Sequence, residues 1–128
     1  MCKYKLLLVS LWLSFVGGTV LAETTFEKIK RVGKVTVGTE AAFPPFEMVE
    51  DGEIVGYGKD ILDFIVADMG VELNQLDLPW QGILPGVLAG KFDFVATSVT
   101  VKPERARTYA FTAPIATTTP YAMKRAGD

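Results

Sequence analysis

Hydrophobic positions follow two different spacings along the chain, and each spacing predicts a type of element. Apolar, β-branched runs predict strands at "KVTVGT", "VELNQLDL" and "FDFVATSV". Between the first two runs, apolar residues recur at i, i+3, i+4 and i+7, which predicts one face of a helix that ends at Gly70. This face consists of Leu62, Ile65, Val66 and Met69. Strands that alternate with helices predict an α/β fold in which helices cover both faces of a largely parallel sheet.

Two further helices are predicted from the residues at their ends. The sequence "TTFE" from Thr24 has capping-box spacing and opens a short helix that stops near Gly33. Another helix is predicted over about 82–89, ended by Gly90, and Pro85 is compatible with it only in the first turn. Leu84, Val87 and Leu88 fall on one side of this helix.

The first 22 residues have the layout of a secretory signal peptide. A basic start is followed by an apolar run over residues 6–16 and by small residues that end at Ala22, which predicts cleavage before Glu23. The apolar run is well short of the roughly 20 residues that span a bilayer. Cys2 precedes this run, whereas a lipid-attachment cysteine would follow it. We therefore expect export to the periplasm by a cleaved signal peptide, without lipid attachment and without stable membrane insertion.

Composition then excludes several function classes. Residues 23–128 form a chain of 106 residues, which suffices for one small domain. This part carries 11 basic and 15 acidic side chains, and a net negative charge argues against a nucleic-acid partner. The sequence has no histidine, and its single cysteine lies in the signal peptide. Zinc sites built on His and Cys and His-based catalytic triads are therefore excluded, and we expect no metal and no cofactor.

The ends of two predicted strands carry residues suited to a ligand. In parallel sheets, ligands bind at the carboxyl ends of the strands. The first strand runs into "TEAAFPPFE", where a proline pair stiffens the loop, and we interpret Phe43 as a ligand-facing wall and Phe46 as a core residue. The third strand leads into hydroxyl side chains and a guanidinium, which suit a carboxylate because arginine offers two oxygens a planar set of donors. These residues are Thr97, Ser98, Thr100 and Arg105. A helix start with a solvated arginine explains the same pattern equally well.

Four stretches together resemble the extracellular solute-binding proteins, family 3, of polar amino-acid ABC importers. They are "VGTEAAFPPFE", "GEIVGYGKDI", "WQGILPGVLAGKFDF" and "TVKPERARTYAFTAP", in matching order and spacing. The resemblance implies a periplasmic binding protein-like type II fold, with two α/β lobes and the ligand enclosed between them. It further implies that residues 23–128 are the N-terminal lobe alone, incomplete and ending at the crossover to an absent second lobe.

The resemblance also assigns roles to individual residues. Arg105 would clamp the ligand α-carboxylate, and the nearby hydroxyl residues would add side-chain and backbone contacts. Aromatic rings would flank the ligand side chain, and an acidic residue would reach its polar groups. A tryptophan that precedes a helix also has a plain structural explanation, since it can cap the core. The implied ligand-binding residues are Glu40, Phe43, Trp80, Thr97, Ser98, Thr100 and Arg105.

Two positions depart from the family pattern. Lys102 stands where a threonine is common, and lysine has no acceptor with which to cap the helix that follows. Its charge either lies near the ligand carboxylate or points to solvent. Gly58 stands where an aspartate is common.

The resulting functional hypothesis is a binding protein that delivers an amino acid or similar zwitterion to an inner-membrane ABC permease, with no catalytic activity. One alternative is an enzyme on the same scaffold, similar to cyclohexadienyl dehydratases, for which Glu40 is the only visible acid or base. Another is a ligand-sensing domain, as in some histidine kinases and lytic transglycosylases. Since one lobe offers one wall of the cleft, we expect this chain alone to bind weakly or not at all.

Overall fold

The computed structural model describes residues 22–127, so all but the last residue of the predicted signal peptide lies outside the described part. Within residues 22–127, no helix has the length and apolar character that a membrane crossing requires. The helices are α1 Thr25–Val32, α2 Tyr57–Met69, α3 Trp80–Leu88 and α4 Pro103–Ala106. The strands are β1 Lys34–Thr39, β2 Ala42–Phe43, β3 Glu47–Glu50, β4 Glu53–Val55, β5 Glu72–Asp77 and β6 Phe94–Val95.

Two sheets organise the chain. Strands β5, β1 and β6 form a parallel sheet in that order, with β1 in the centre and Thr39 opposite Asp77. Strands β2, β3 and β4 form a small antiparallel sheet, in which Phe43 pairs with Glu47. Asp51 and Gly52 have positive φ angles of 51° and 85° at the turn between β3 and β4. The expected α/β class with a parallel-rich sheet is confirmed.

One face of β1 forms the main core against α1 and α2. Val35 and Val37 are fully buried and pack with Ile29 of α1 and with Leu62 and Val66 of α2. The capping box at the start of α1 is present, since the Thr24 side chain accepts from the Glu27 N–H. The helix predicted from Thr24 and the strand predicted at "KVTVGT" are therefore confirmed.

Helix α3 covers the opposite face of β1. The side chain of Phe92, which follows this helix in the sequence, lies between the two elements. The Phe92 ring lies against Gly38 of β1 and Gly86 of α3, and a methyl group at either glycine would come within 2.6 Å of it. Glycine at both positions allows this close approach of helix and strand. Ile83, fully buried, completes this second contact layer. Helices thus cover both faces of the parallel sheet, as predicted.

The buried face of α2 is narrower than its sequence spacing suggests. Leu62 and Val66 are buried and Met69 is partly buried, but Ile65 remains 43% exposed. Leu62 and Val66, four residues apart, face the core directly, whereas Ile65 lies to one side of them on the helix surface. The helix itself is confirmed, but its four spaced apolar residues are not equally buried.

Helix α3 differs from its prediction in its start. It begins at Trp80, two residues earlier than expected, so Pro85 lies in the second turn and not the first. Its buried residues are Ile83 and Gly86, whereas Leu88 is exposed. The Phe92 ring requires the small Gly86 to face the sheet, so the helix buries the row of Ile83 and Gly86 while Leu84 and Val87 are only partly buried.

The third predicted strand is much shorter than its apolar run. Strand β6 pairs with β1 only at Phe94 and Val95, and the chain then leaves the sheet. The Thr39 hydroxyl donates to the Ala96 carbonyl at 2.9 Å. At the Ala96 carbonyl, a side-chain hydrogen bond thus replaces the backbone hydrogen bond that would extend the pairing of β6 with β1. Thr97 and the residues after it therefore lie in a loop and not on a strand.

Candidate functional site

All three parallel strands deliver side chains to one open cleft at their carboxyl ends. Strand β1 leads to Glu40 and Phe43, β5 leads to Trp80, and β6 leads to the Thr97 loop. The cleft has a volume of about 510 Å³. Its lining residues are Glu40, Phe43, Trp80, Gln81, Thr97, Ser98, Thr100, Lys102 and Arg105.

The structure brings together every residue that the sequence nominated for ligand contact. It adds Gln81 and Lys102 to them. The sequence did not indicate Gln81, because α3 was expected to begin at about residue 82 and this position was therefore placed outside the helix. Lys102 was recognised only as a departure from the family pattern, and of its two possible orientations the structure shows the one that lines the cleft.

Phe43 forms an exposed aromatic wall on one side of the cleft. Its ring is stacked on Phe46, with centroids 5.5 Å apart and an interplanar angle of 18°. Phe46 is half-buried and meets the Tyr57 ring edge-on at 6.2 Å. Phe46 thus anchors the loop, while Phe43 remains 47% exposed and is available for a ligand.

Arg105 is held over the cleft by two contacts. One guanidinium nitrogen donates to the Thr100 carbonyl at 3.1 Å. The guanidinium carbon lies 5.2 Å from the centre of the Trp80 ring, a cation–π geometry. The side chain therefore turns back toward the strand end, and Trp80 has a role in orienting it.

The short helix α4 fixes the backbone of Arg105. Pro103 occupies the first helical position, and Lys102 precedes it without a side-chain cap. The Tyr109 N–H donates to the Arg105 carbonyl at 2.9 Å, and the Tyr109 hydroxyl donates to the Leu84 carbonyl of α3 at 3.3 Å. These bonds attach the turn that carries Arg105 to the helix that carries Trp80.

A buried carboxylate lies directly behind the hydroxyl side of the cleft. Glu47 is only 2% exposed, and its oxygens accept from the Ser98 hydroxyl at 3.0 Å, the Ser98 N–H at 3.1 Å and the Thr97 hydroxyl at 3.2 Å. Nothing in the sequence distinguishes Glu47 as a functional residue. Glu47 and Glu50 are both glutamates on strand β3, and their sequence context does not indicate which is buried. Only the tertiary structure shows that Glu47 is buried and Glu50 is exposed.

Gly58 supplies the room for this carboxylate. A methyl group at Gly58 would lie 2.1 Å from Glu47 Oε1, closer than any non-bonded contact allows. The departure from the family aspartate at this position therefore has a local consequence. With Glu47 in this position, no side chain fits at residue 58.

Two acidic residues, Glu40 and Asp77, lie at the ends of β1 and β5. Glu40 lines the main cleft and also a smaller neighbouring one of about 250 Å³, to which Asp77 contributes. Asp77 accepts from the Ala41 N–H at 3.0 Å and so ties the loop after β1 to the end of β5. The main cleft thus contains one acidic side chain, Glu40, beside two cationic ones, Lys102 and Arg105.

The ion pairs found among residues 22–127 leave the cleft charges without a counter-charge. None of these pairs involves a residue that lines the cleft. They are Lys28–Asp93, Arg31–Glu23, Lys34–Glu72 and Lys59–Asp63. The positive charge of Arg105 is thus available to a ligand carboxylate.

Residues 35–128 match the family described as bacterial extracellular solute-binding proteins, family 3, and the chain belongs to this family. It is 29% identical over 101 residues to the L-arginine-binding protein of Pseudomonas aeruginosa, an alignment that covers 78% of this chain and 39% of that protein. The chain therefore spans about two fifths of the length of that curated relative.

Solved structures of related proteins show the same fold. The arginine-bound form of domain 1 from TmArgBP, the T. maritima ArgBP, is 39% identical with a TM-score of 0.65, over 68% of this chain and 70% of that one. An ancestral cyclohexadienyl dehydratase, AncCDT-3(P188L), is 28% identical with a TM-score of 0.70, over 75% of this chain and 40% of that one. The described residues form one lobe of a type II periplasmic binding protein domain.

Proposed function

We propose that the protein is the periplasmic substrate-binding component of an ABC importer, which binds an amino acid or a similar small zwitterion and delivers it to an inner-membrane permease. The observation that carries this proposal is Arg105, which lines the cleft with a ring and a backbone carbonyl as its partners. Family membership and the names of the relatives support the binding role. Export through the first 22 residues is part of the proposal.

The ligand carboxylate is expected at the α4 end of the cleft. Arg105 can offer a carboxylate two parallel N–H donors, the geometry that distinguishes arginine from lysine. Lys102 lines the same cleft and adds a second positive charge. Because Trp80 and Thr100 already orient the guanidinium, little side-chain freedom is lost on binding.

The ligand side chain is expected to be cationic. Glu40 lines both the main cleft and the smaller one to which Asp77 contributes, so its carboxylate can pair with a cationic ligand side chain. Phe43 and Trp80 offer aromatic surfaces, which attract guanidinium groups. The names of the P. aeruginosa and T. maritima relatives point in the same direction, and L-arginine is the first ligand to test.

A single lobe should bind such a ligand weakly. The open cleft leaves one side of the ligand in water, which weakens each polar contact. The arginine-bound structure of a single domain from TmArgBP supports the view that one lobe of this type can hold a ligand. For the present chain we therefore expect saturable but weak binding.

A side-by-side titration with L-arginine and the uncharged L-glutamine tests the proposed ligand class. The wild-type chain should prefer L-arginine, and Glu40→Gln should reduce this preference while leaving L-glutamine binding unchanged. Glu53→Gln, a neutralised exposed carboxylate on β4, is the matched control and should behave as wild type. Equal binding of both amino acids by the wild-type chain would contradict a cationic ligand.

An enzyme of the cyclohexadienyl dehydratase type is the second candidate, favoured by the likeness to the ancestral dehydratase. Such chemistry needs a positioned acid or base, and among residues 22–127 Glu40 is the only carboxylate that lines the main cleft. Turnover of a cyclohexadienyl acid that is lost in Glu40→Gln would establish this candidate. Stoichiometric binding without turnover would exclude it.

A further inference from the structure

Lys102 lines the cleft at a position where a lysine does not help the local fold. It is the N-cap residue of α4, and its side chain makes no cap hydrogen bond. Serine, threonine, asparagine or aspartate would accept a backbone N–H there and stabilise the start of the helix, whereas lysine has no acceptor. A residue that breaks a local rule in this way is typical of a functional position. The ammonium group of Lys102 is therefore a candidate for a ligand contact.

One turn of helix brings the two cations of the cleft together. Lys102 and Arg105 occupy the N-cap and N3 positions of α4, whose side chains meet in a capping box. The same two positions of α1 hold Thr24 and Glu27, which are joined by a side-chain hydrogen bond of 2.8 Å. In α4 neither cation belongs to an ion pair found among residues 22–127. Like charges so placed repel each other, and an anionic partner relieves the repulsion.

A ligand with one carboxylate does not use both of these cations. The Arg105 guanidinium can donate to both oxygens of a single carboxylate. The side chains that line the cleft carry two positive charges and one negative charge, that of Glu40, and the buried Glu47 adds a second negative charge. L-arginine has a net charge of +1, so with this ligand bound one positive charge is left without compensation. A second carboxylate on the ligand would neutralise it.

We propose that Lys102 recognises a second carboxylate, and that the ligand is an N-carboxyalkyl derivative of a cationic amino acid. Arg105 then binds the α-carboxylate, Lys102 binds the carboxylate on the α-nitrogen substituent, and Glu40 pairs with the cationic side chain. A substituent on the α-nitrogen keeps the second carboxylate close to the first, as the positions of Lys102 and Arg105 on one turn require. Lys102 is thus a specificity-determining residue. This inference rests on the proposed amino-acid-binding function.

The test uses two probes that differ in one charge. Nα-(carboxymethyl)-L-arginine carries the second carboxylate, and Nα-(carbamoylmethyl)-L-arginine carries a neutral amide of nearly the same size in its place. L-arginine is the reference ligand, and NMR titration gives the dissociation constant of each. Lys102→Gln removes the cation but keeps a long polar side chain, and Lys102→Arg restores the charge. Lys91→Gln, at an exposed lysine outside the cleft, is the matched control.

We expect the wild-type chain to bind the carboxymethyl probe about fivefold more tightly than the carbamoylmethyl probe, as for a well-placed exposed ion pair. Lys102→Gln should abolish this preference and change L-arginine binding by less than about twofold. Lys102→Arg and Lys91→Gln should retain the preference, and high salt should diminish it. Equal binding of the two probes by the wild-type chain would overturn the inference. Equal losses for both probes and L-arginine in Lys102→Gln would also overturn it, since Lys102 would then serve the α-carboxylate.

Lys102→Thr separates recognition from any structural role of this position. Threonine can cap α4, so this variant keeps the helix start intact and should still lose the preference for the carboxymethyl probe. A preference that survives in Lys102→Thr would overturn the inference. If the wild-type chain binds L-arginine but neither substituted probe, the inference fails while the proposed function stands. If it binds none of the three, the proposed function itself fails.

Discussion

At the scale of single residues, Arg105 illustrates how a cationic side chain is prepared for a ligand. The Trp80 ring and the Thr100 carbonyl hold its guanidinium over the cleft. Neither contact neutralises the charge of Arg105, so the guanidinium can form an ion pair with a ligand carboxylate. The side chain is oriented before binding, and ordering it then costs less free energy.

Removal of this guanidinium should abolish carboxylate recognition. Arg105→Ala is expected to cost about 2–5 kcal/mol of binding free energy, which for a weakly held ligand eliminates measurable saturation. Arg105→Lys should restore only part of the loss, since an ammonium cannot make the bidentate contact. Calorimetric titration measures both effects. Arg107→Ala, at the end of the same helix and outside the cleft, should bind as wild type.

Asp93 contributes to stability in a pH-dependent way. Burial by itself raises the pKa of Asp93, but hydrogen bonds from the Lys28 ammonium and the Thr36 N–H, together with the Lys28 charge, more than offset it, so the pKa lies below its ordinary value. A depressed pKa means that the unfolded chain takes up the proton first as the pH falls. The contribution is therefore complete above about pH 4 and is lost as the pH falls through the folded-state pKa.

Asp93→Asn should accordingly lower the free energy of unfolding at pH 7 by about 1–3 kcal/mol. Thermal unfolding at several pH values should show the difference between variant and wild type shrinking below about pH 4. Asp63→Asn, an exposed partner in an i, i+4 pair, is the control and should change little. A pH-independent difference for Asp93→Asn would show that charge plays no part in the effect.

At the scale of elements, local signals predicted those features that depend on neighbouring residues. The Thr24 capping box and the alternation in β1 specify their elements without help from the rest of the chain. The orientation of α3 could not be predicted, because it depends on the Phe92 ring and the two glycines that receive it. The early end of β6 likewise depends on the Thr39 hydroxyl, which comes from another strand.

The cleft shows the same division between local and tertiary information. The ends of parallel strands could be predicted to meet, and the family resemblance supplied the individual residues. Glu47 could not be found in this way. Its burial is decided by Gly58 on α2 and by Ser98 beyond β6, both distant from it in sequence.

The fit of α2 against β3 should fail when residue 58 gains a side chain. Gly58→Ala places a methyl group against Glu47, whose carboxylate is held by Ser98, so we expect a loss of about 1–3 kcal/mol in stability. Gly82→Ala is the matched control, since a methyl group there meets nothing within 4 Å, and alanine favours the helix by up to about 1 kcal/mol. Chemical denaturation measures both. Equal stability of the two variants would contradict the close contact at Gly58.

At the scale of the whole molecule, the described lobe exposes several large apolar side chains. Phe64 on α2 is 76% exposed, and Leu88 on α3 and Phe26 on α1 are also exposed. Such surfaces promote association unless a partner covers them. We expect the purified chain to be marginally stable and to self-associate as its concentration rises. Sedimentation over a range of concentrations measures this, and a monomer throughout would contradict it.

The most direct test of the account is an NMR titration of the isotope-labelled chain with L-arginine, because chemical shifts detect weak binding and locate it. The account predicts saturable shifts confined to the amides of the cleft, at Trp80, Ser98 and Arg105 among others, and no such shifts in Arg105→Ala. Backbone amides of α2, such as that of Ile65, should not move. An unchanged cleft, or shifts that persist in Arg105→Ala, would contradict the claim that this cleft binds an amino acid through Arg105.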